Sequence, residues 1–502
     1  MLTDIRSTFK HSFIYSLGNL ATKIVGLILI PIYTNETYLT TTDYGVFGIM
    51  EVLSQILVAV MGFSIYSGFN RWYWDKNHAH LQKPLYFTST IAVLVVSMVL
   101  FIAGLLSAGQ ISQILFQTPD YKLLISIVFL ASFIQANFIL PLSLMKLQSK
   151  SKLFSLINII KLTITLLSTI YFVVILKKGI VGIYLGQIIG GSITFVLTLK
   201  YIFKNIQVHF VKNVAREMFN YSFPLMFTSI MASLLSAFDR FSLNYLSTLE
   251  NVGIYSLGFK LANTIKVFIT SSVVMALNPI RLKKINDPNN GRFYSKILTY
   301  FSFGLMIVVL AFSLFSYEII EVFSSSDKYL PASSIVPFIA LGLFFGMMKD
   351  NVNIGLIIKK KTKIIGSITL FTVVINLILN ILMIPVWGII GAASSTLFSQ
   401  IIFFIVIYYF AQKQYRVPYE IRKIIIILIT GGGLYGISLL FNIDNMLLRV
   451  FFKLFLILCY PFVLHLFKFY DPIELETIKK IWVEWRNPLK LRKNISKLRS
   501  KN

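Results

Sequence analysis

Apolar runs long enough to cross a bilayer recur along nearly the whole chain, and they limit the folds open to it more than any other feature. Taking about 20 residues as one crossing, fourteen runs qualify. They lie near 12–33, 45–67, 85–107, 121–145, 153–176, 180–203, 216–238, 252–278, 294–320, 332–357, 364–386, 389–411, 422–441 and 446–467. In lipid every backbone N–H and C=O must be paired inside the protein, which leaves only helices and closed barrels. The runs are too long and too uniformly apolar for the alternating strands of about ten residues that build a barrel. The expected fold is an all-α polytopic membrane protein of about 14 transmembrane helices. Composition agrees, with 56% of the 502 residues hydrophobic and only 13% charged. The first run exceeds a signal sequence in length and lacks a convincing cleavage site, so it reads as a retained helix.

Basic residues orient the helices, because loops rich in Lys and Arg stay on the cytoplasmic side. With the N-terminus in the cytoplasm, 35 of the 47 Lys and Arg fall in cytoplasmic segments, 6 in external ones and 6 inside spans. Both termini are therefore expected in the cytoplasm. The net charge of +27 is mostly this asymmetry and not a nucleic-acid footprint. The basic tail, 468–502, is expected either against anionic inner-leaflet headgroups or as a disordered solubilising tail. The loops are short, the longest external one being about a dozen residues, too small for a folded external domain.

Chemistry on the chain itself is not indicated. One cysteine, Cys459, rules out an intrachain disulfide framework, and the five His offer no metal-ligand spacing, the pair His78 and His80 lying in a charged loop. There is no ATP-binding motif, no supported carboxylate pair and no Ser-His-Asp set, so no enzyme and no cofactor is expected. Gly431 to Gly433 lacks the Lys and hydroxyl of a phosphate loop and reads as close helix packing.

An internal repeat divides the chain. The segment LTTTDYGVFGI (39–49) is echoed by LSTLENVGIYSL (246–257), with Gly45 matching Gly253 at an offset of 208. Gly179 and Gly182 match Gly388 and Gly391 at 209, and SKSK (149–152) lines up with KKTK (360–363) at 211. Six spans per unit is an even number, so the two halves share one orientation and a pseudo-two-fold along the membrane normal. The expected domains are a six-helix lobe over 1–210, a second over 211–412, two appended helices over 413–467 and the basic tail over 468–502.

Charges inside the spans mark the candidate site. Ser12, Ser16, Asn19 and Lys23 are spaced four, three and four apart and form one polar stripe on the first helix. A central lysine facing lipid costs roughly 2.5 to 3.5 kcal/mol. Lys23, Lys161, Lys260, Lys266 and Lys349 therefore need a shared hydrated or paired environment, and cations collected there call for an anion. Lys260 sits near the external end and can equally snorkel outward, while Lys453, early in its span beside Arg449, reads as snorkelling. Lys161 shares a polar stripe with Asn158, Thr165 and Ser168, which serves either the cavity or interhelical bonding. Lys349 adjoins Asp350, but neighbours diverge by about 100° on a helix, so partners on other helices are expected. Glu51, one turn from Gln55, reads as a lysine counter-ion or as a proton or sodium coupling site. Asp239 and Arg240 read as a gating ion pair or a solvated helix end, and Arg71 as a gate or an orientation signal.

The blocks GNLATKIVGLILIPIYTNETYLTTTDYGVFGIMEVL (18–53), YSFPLMF…FDRFSLNYL…NVGIYSLGFKLAN (221–263) and GIIGAA (388–393) resemble polysaccharide flippases of the multidrug/oligosaccharidyl-lipid/polysaccharide exporter superfamily. The resemblance covers most of 10–411. It implies two six-helix bundles around a cavity, alternating access, and transport of an undecaprenyl-pyrophosphate-linked oligosaccharide to the outer leaflet, as in O-antigen (Wzx type) or capsule synthesis. Fourteen spans also resemble the lipid II flippases, whose last two helices offer a groove for the lipid tail. On this reading Asn19 and the five lysines would bind the pyrophosphate, while Glu51, Asp350, Asp239, Arg240 and Arg71 would couple ions or gate. The partners implied are the lipid-linked glycan, membrane lipids and the glycan polymerase machinery. Two other classes stay open: a cation-coupled multidrug-type antiporter of the same superfamily, whose cavity should be acidic or aromatic, and a non-transporting membrane scaffold.

Overall fold

The computed structural model describes residues 26–75, 80–235, 238–269, 273, 281, 284, 287, 290–359, 361–441 and 443–476, and every regular element among them is helical. A short turn, α1 (Ile30–Tyr33), leads to α2 (Thr41–Met61) and α3 (Ile65–Trp72). Helices α4 (Gln82–Phe116), α5 (Lys122–Leu147), α6 (Ser151–Ile170, extended by a π turn to Ile175) and α7 (Gly179–Asn205) follow. Next come α8 (Lys212–Leu235), α9 (Phe238–Leu246), α10 (Leu249–Ile269), α11 (Asn290–Leu314) and α12 (Ser316–Phe323). A 3₁₀ segment, Asp327–Ser334, precedes α13 (Val336–Val352), α14 (Ile354–Ile358), α15 (Thr362–Gln414), α16 (Ile421–Leu440) and α17 (Met446–Leu466).

Eleven helices among the described residues are long and apolar enough to cross a membrane. Three local facts separate that number from fourteen. Helix α15 bends at Gly388 (φ 55°) and so holds two expected spans in one element. Helix α10 carries Glu250, Lys260 and Lys266 and is not among the eleven. The first run is described only from residue 26, which leaves the polar stripe of Ser12, Ser16, Asn19 and Lys23 outside the described residues.

The chain forms two compact units: 1–291 with 316–417, and 292–315 with 418–502. In the first, the repeat is visible as contact between equivalent residues. A Cβ on Gly45 would lie 1.9 Å from the Leu249 carbonyl oxygen and 3.2 Å from the Gly253 nitrogen. A Cβ on Gly253 would lie 2.3 Å from the Thr41 carbonyl oxygen and 3.1 Å from the Gly45 nitrogen. Residues 41 and 45 thus meet 249 and 253, their counterparts at offset 208, and Gly48 meets Ser256 at the same offset, a Cβ there falling 2.2 Å from its Oγ. Helices α2 and α10 cross on the local two-fold with backbones too close for any side chain. Gly179 and Gly388 are likewise equivalent in conformation, with φ of 56° and 55°, a region that only glycine enters without steric cost.

Other contacts draw the same two halves together at the lysine-poor loop end. Thr40 caps α2 reciprocally with Asp43, its hydroxyl accepting from the Asp43 N–H at 3.1 Å while its own N–H donates to the carboxylate at 2.9 Å. Lys328 Nζ pairs with Glu36 at 3.0 Å and holds that carboxyl below its ordinary range. Ser325 donates from its N–H to Thr34 Oγ1 (2.9 Å) and from Oγ to the Pro31 carbonyl (2.8 Å). Asn244 and Tyr245 donate to the carbonyls of Leu115 and Ile114. Beneath lies an aromatic core in which Tyr33 meets Phe47 at 5.4 Å and Tyr44 meets Tyr329 edge-on at 5.7 Å.

In the second unit an ion cluster ties three segments. Lys296 Nζ lies 2.5 Å from Asp471 and 2.8 Å from Glu420, and Lys423 Nζ lies 2.7 Å from Asp471. Phe303 stacks on Tyr460 and Phe469 at 5.9 and 5.8 Å. Of the glycine triplet, Gly431 is the close-packed member, a Cβ there meeting Met306 at 2.0 Å, whereas Gly432 and Gly433 face open space. Hydrogen bonds from Lys296, then from Lys423, hold the Asp471 carboxyl down to about 2. A depressed carboxylate contributes stability that is present above its unfolded value near 3.9 and lost as pH falls through the folded one. The protection of the amides at 468–476, measured as exchange relative to the free-peptide rate at the same pH, is therefore expected to be equal at pH 5 and 8 and to fall between about pH 4 and 2. Protection unchanged down to about pH 2 would assign the anchoring to Phe469 packing instead.

Candidate functional site

The first unit encloses a cavity of about 910 Å³. Charged residues from five helices reach it: Glu51 on α2, Lys161 on α6, Arg240 on α9, Lys260 and Lys266 on α10, and Lys349 with Asp350 on α13. All four expected lysines inside the described residues thus line one space, with Arg240 as a fifth cation. Five cations against two carboxylates leave a net charge of +3. Three of the lysine ammoniums lie over aromatic faces, a favourable seat for a cation. Lys161 Nζ sits 4.9 Å from the Phe138 ring centre, Lys260 Nζ 5.5 Å from Tyr33 and 5.7 Å from Phe47, and Lys349 Nζ 4.4 Å from Phe403. Lys260 turns inward and does not snorkel.

Several expectations need correction. Lys349 does pair with its neighbour, Nζ to Asp350 Oδ1 at 2.8 Å, because four methylenes let the ammonium curl around the angle that separates the two Cβ atoms. Asp239 and Arg240 are not a solvated helix end, being 1% and 4% exposed, and each is held by other residues. Arg240 reaches Glu51 at 3.8 Å and the Gly48 carbonyl at 3.5 Å, with its guanidinium 4.8 Å from the Phe259 ring centre. Arg71 does not line the cavity. It is exposed at the end of α3, over Trp72 (5.1 Å) and Tyr221 (4.7 Å), and Trp72 Nε1 donates to Glu217 at 3.2 Å. Nearby, α2 and α3 are separated by a bend in which Phe63 and Ser64 hold φ of 47° and 49°, conformations costly for side-chain-bearing residues.

Asp239 is the centre of a separate cluster. Its Oδ1 accepts from Asn376 Nδ2 (3.3 Å) and Asn380 Nδ2 (2.9 Å), and its Oδ2 accepts from Tyr255 Oη (2.7 Å) and from Thr396 Oγ1. All four donors are neutral, so this buried carboxylate is held by hydrogen bonds from α10 and both arms of α15. A carboxylate among amides and hydroxyls can take a proton, or a small hard cation once those groups turn their oxygens towards it. Thr396 also lines the cavity, which places the cluster one residue from it. Among the described residues there is no group of three His, Cys, Asp or Glu that could hold a metal ion.

Sequence reasoning missed the neutral part of the lining. Gln135, Gln187, Asn263 and Gln400 join Gln55 and Asn158 around the cavity. Amides carry no charge, so a scan for intramembrane charges passes over them; helical periodicity is the signal that places them on inward faces.

Similarity to known proteins agrees with this architecture. The solved lipid II flippase MurJ in an inward closed conformation superposes with a TM-score of 0.72 at 18% identity, covering 89% of this chain and 97% of that one. A MATE transporter from Vibrio cholerae superposes at 0.56 with 14% identity, covering 82% and 97%. An uncharacterized membrane protein of Methanocaldococcus jannaschii is 28% identical over 262 residues, half of this chain and half the length of that relative. Residues 224–382 match the MatE family. Residues 8–283, more than half of the chain, match the family described as polysaccharide biosynthesis protein, and the chain belongs to that family.

Proposed function

We propose that this chain is a flippase that moves an undecaprenyl-pyrophosphate-linked oligosaccharide, an O-antigen or capsule repeat unit, from the cytoplasmic to the outer leaflet by alternating access. The observation that carries this reading is the cavity charge: five cations and two carboxylates in one membrane-embedded space. A pyrophosphate diester bears about two negative charges and is held by charge-assisted hydrogen bonds, whereas an organic cation is repelled by the same wall, which disfavours a multidrug-type antiporter. Lys161, Lys260, Lys266 and Lys349 hold the pyrophosphate, joined by Asn19 and Lys23 from the first helix. Glu51 and Arg240 bridge the two halves beside the crossing of α2 and α10, and Asp239 couples transport to an ion. Positive loops orient both termini to the cytoplasm of the inner membrane, and the tail contacts anionic headgroups there. The glycan polymerase machinery takes up the product. The two lobes, 1–210 and 211–412, rock about the α2–α10 crossing, with 413–467 appended.

In proteoliposomes carrying this glycolipid, Lys161→Ala and Lys266→Ala are each expected to slow translocation at least about tenfold, the loss of one charge-assisted contact of 1.5–3 kcal/mol. Wild-type rates in both variants, with protein inserted normally, would sink the cationic-cavity reading.

A further inference from the structure

The cavity is not uniform. The wall from residues 228–403 carries four of its five cations, Arg240, Lys260, Lys266 and Lys349. The opposite wall, from residues 51–191, carries one cation and one carboxylate, with Glu51 3.8 Å from Arg240. This second wall carries four amides, Gln55 on α2, Gln135 on α5 and Gln187 on α7, beside Asn158 on α6, against two on the cationic wall, Asn263 and Gln400. Asn158 is used locally, its Nδ2 donating to the Phe154 carbonyl at 2.8 Å.

The three glutamines behave differently. Polar side chains in membrane helices ordinarily bond across to a neighbouring helix, as Asn137 does here to Ser97 at 2.9 Å. Gln55, Gln135 and Gln187 make no such bond among the described residues, yet all three sit on the cavity surface. Three helices thus each present an amide to the same space without using it for packing.

We infer that this wall is a subsite for uncharged sugar residues, read by Gln55, Gln135 and Gln187 and facing the cationic wall that holds the phosphates. The inference rests on the function proposed above. An amide offers two donors and an acceptor, the complement of a sugar hydroxyl, which both donates and accepts. Being neutral, it brings no charge to the phosphates, so the two walls share the substrate unequally: most of the charge is read by Arg240, Lys260, Lys266 and Lys349, helped by Lys161, and the hydroxyls by Gln55, Gln135 and Gln187.

The test uses the full-length protein in detergent and two probes, undecaprenyl pyrophosphate without sugar and the same carrier bearing an uncharged trisaccharide. Methionine matches glutamine in length while removing its hydrogen-bonding groups. The wild type is expected to bind the sugar-bearing probe about tenfold more tightly, the scale of one or two net hydrogen bonds. Combined Gln55→Met, Gln135→Met and Gln187→Met should bring both probes to the affinity of the bare carrier, while Lys260→Ala weakens both by the same factor. Each single methionine variant, less demanding on packing, should remove part of the preference. Full preference in the triple variant, or in all three single variants, overturns the subsite while leaving the proposed function standing, as does a wild type that binds both probes equally. A wild type that binds neither probe overturns the proposed function and the subsite with it.

Discussion

Gly45→Leu is expected to leave little folded protein, and what survives should be unable to transport. The first methylene of any side chain at 45 falls 1.9 Å from the Leu249 carbonyl oxygen and 2.9 Å from its carbon, both backbone atoms that no rotamer change can move. Relief requires α2 and α10 to separate, and the separation is shared by Gly253 and by Gly48 against Ser256. Overpacking of an ordinary core costs about 1–3 kcal/mol; here three contacts of one crossing are lost together, so the upper end or more is expected. This is a large fraction of the roughly 5–15 kcal/mol that holds a domain together. Because the crossing stitches the two halves at the lysine-poor end, forcing it apart also opens the cavity there. The checks are the yield of monodisperse protein after mild heating and maleimide labelling of Gln55→Cys in a Cys459→Ser background. Labelling by an impermeant maleimide added outside intact cells should rise in Gly45→Leu. A variant that elutes, melts and transports as the wild type does would show that the two backbones have room the geometry denies.

Much of this was legible because it is periodic or charged. The offset of 208 between LTTTDYGVFGI and LSTLENVGIYSL already pairs Gly45 with Gly253, and the structure puts those two glycines on each other. The lysines stand out because a charge in an apolar run has few places to go, and the four described ones share a cavity. What was not legible depends on contacts between distant residues. Asp239 looks like a helix-end charge until Asn376, Asn380 and Thr396, 137 to 157 residues away, arrive around it. The direct Lys349–Asp350 pair escaped an argument based on Cβ directions, since a lysine stem is long enough to ignore them. Gln135 and Gln187 escaped because a search for intramembrane charges passes over neutral amides. The grouping of 292–315 with 418–502 rests on Lys296 meeting Glu420 and Asp471, a pairing that loop charge counts assign only to a common membrane side.

The second large effect is expected at Asp239, where two substitutions should separate structure from coupling. Asp239→Ala removes the acceptor of four donors at once, those of Tyr255, Asn376, Asn380 and Thr396. Each buried donor left unpaired costs about 1–3 kcal/mol, so this variant should be strongly destabilised. Asp239→Asn meets a different environment. The amide oxygen can keep the place of Oδ1, accepting from Asn376 and Asn380. The amide nitrogen then takes the place of Oδ2, against two hydroxyls, Tyr255 and Thr396, which can rotate from donating to accepting. The network closes again with the charge gone, and the fold should survive nearly intact. A protonated Asp239 closes the network in the same way, its O–H donating to a hydroxyl, so the site accepts both the charged and the neutral state without rearranging its neighbours. If Asp239 couples transport to an ion, Asp239→Asn should keep wild-type thermal behaviour and glycolipid binding while net transport against a gradient falls at least about tenfold, one charge-assisted interaction in scale. The measurement is translocation in proteoliposomes with and without an imposed proton or sodium gradient. The wild type should respond to one of the two gradients and Asp239→Asn to neither. A variant that is stable and still responds to the gradient as the wild type does would make Asp239 a structural anchor of α9 on α15 and move the coupling site elsewhere.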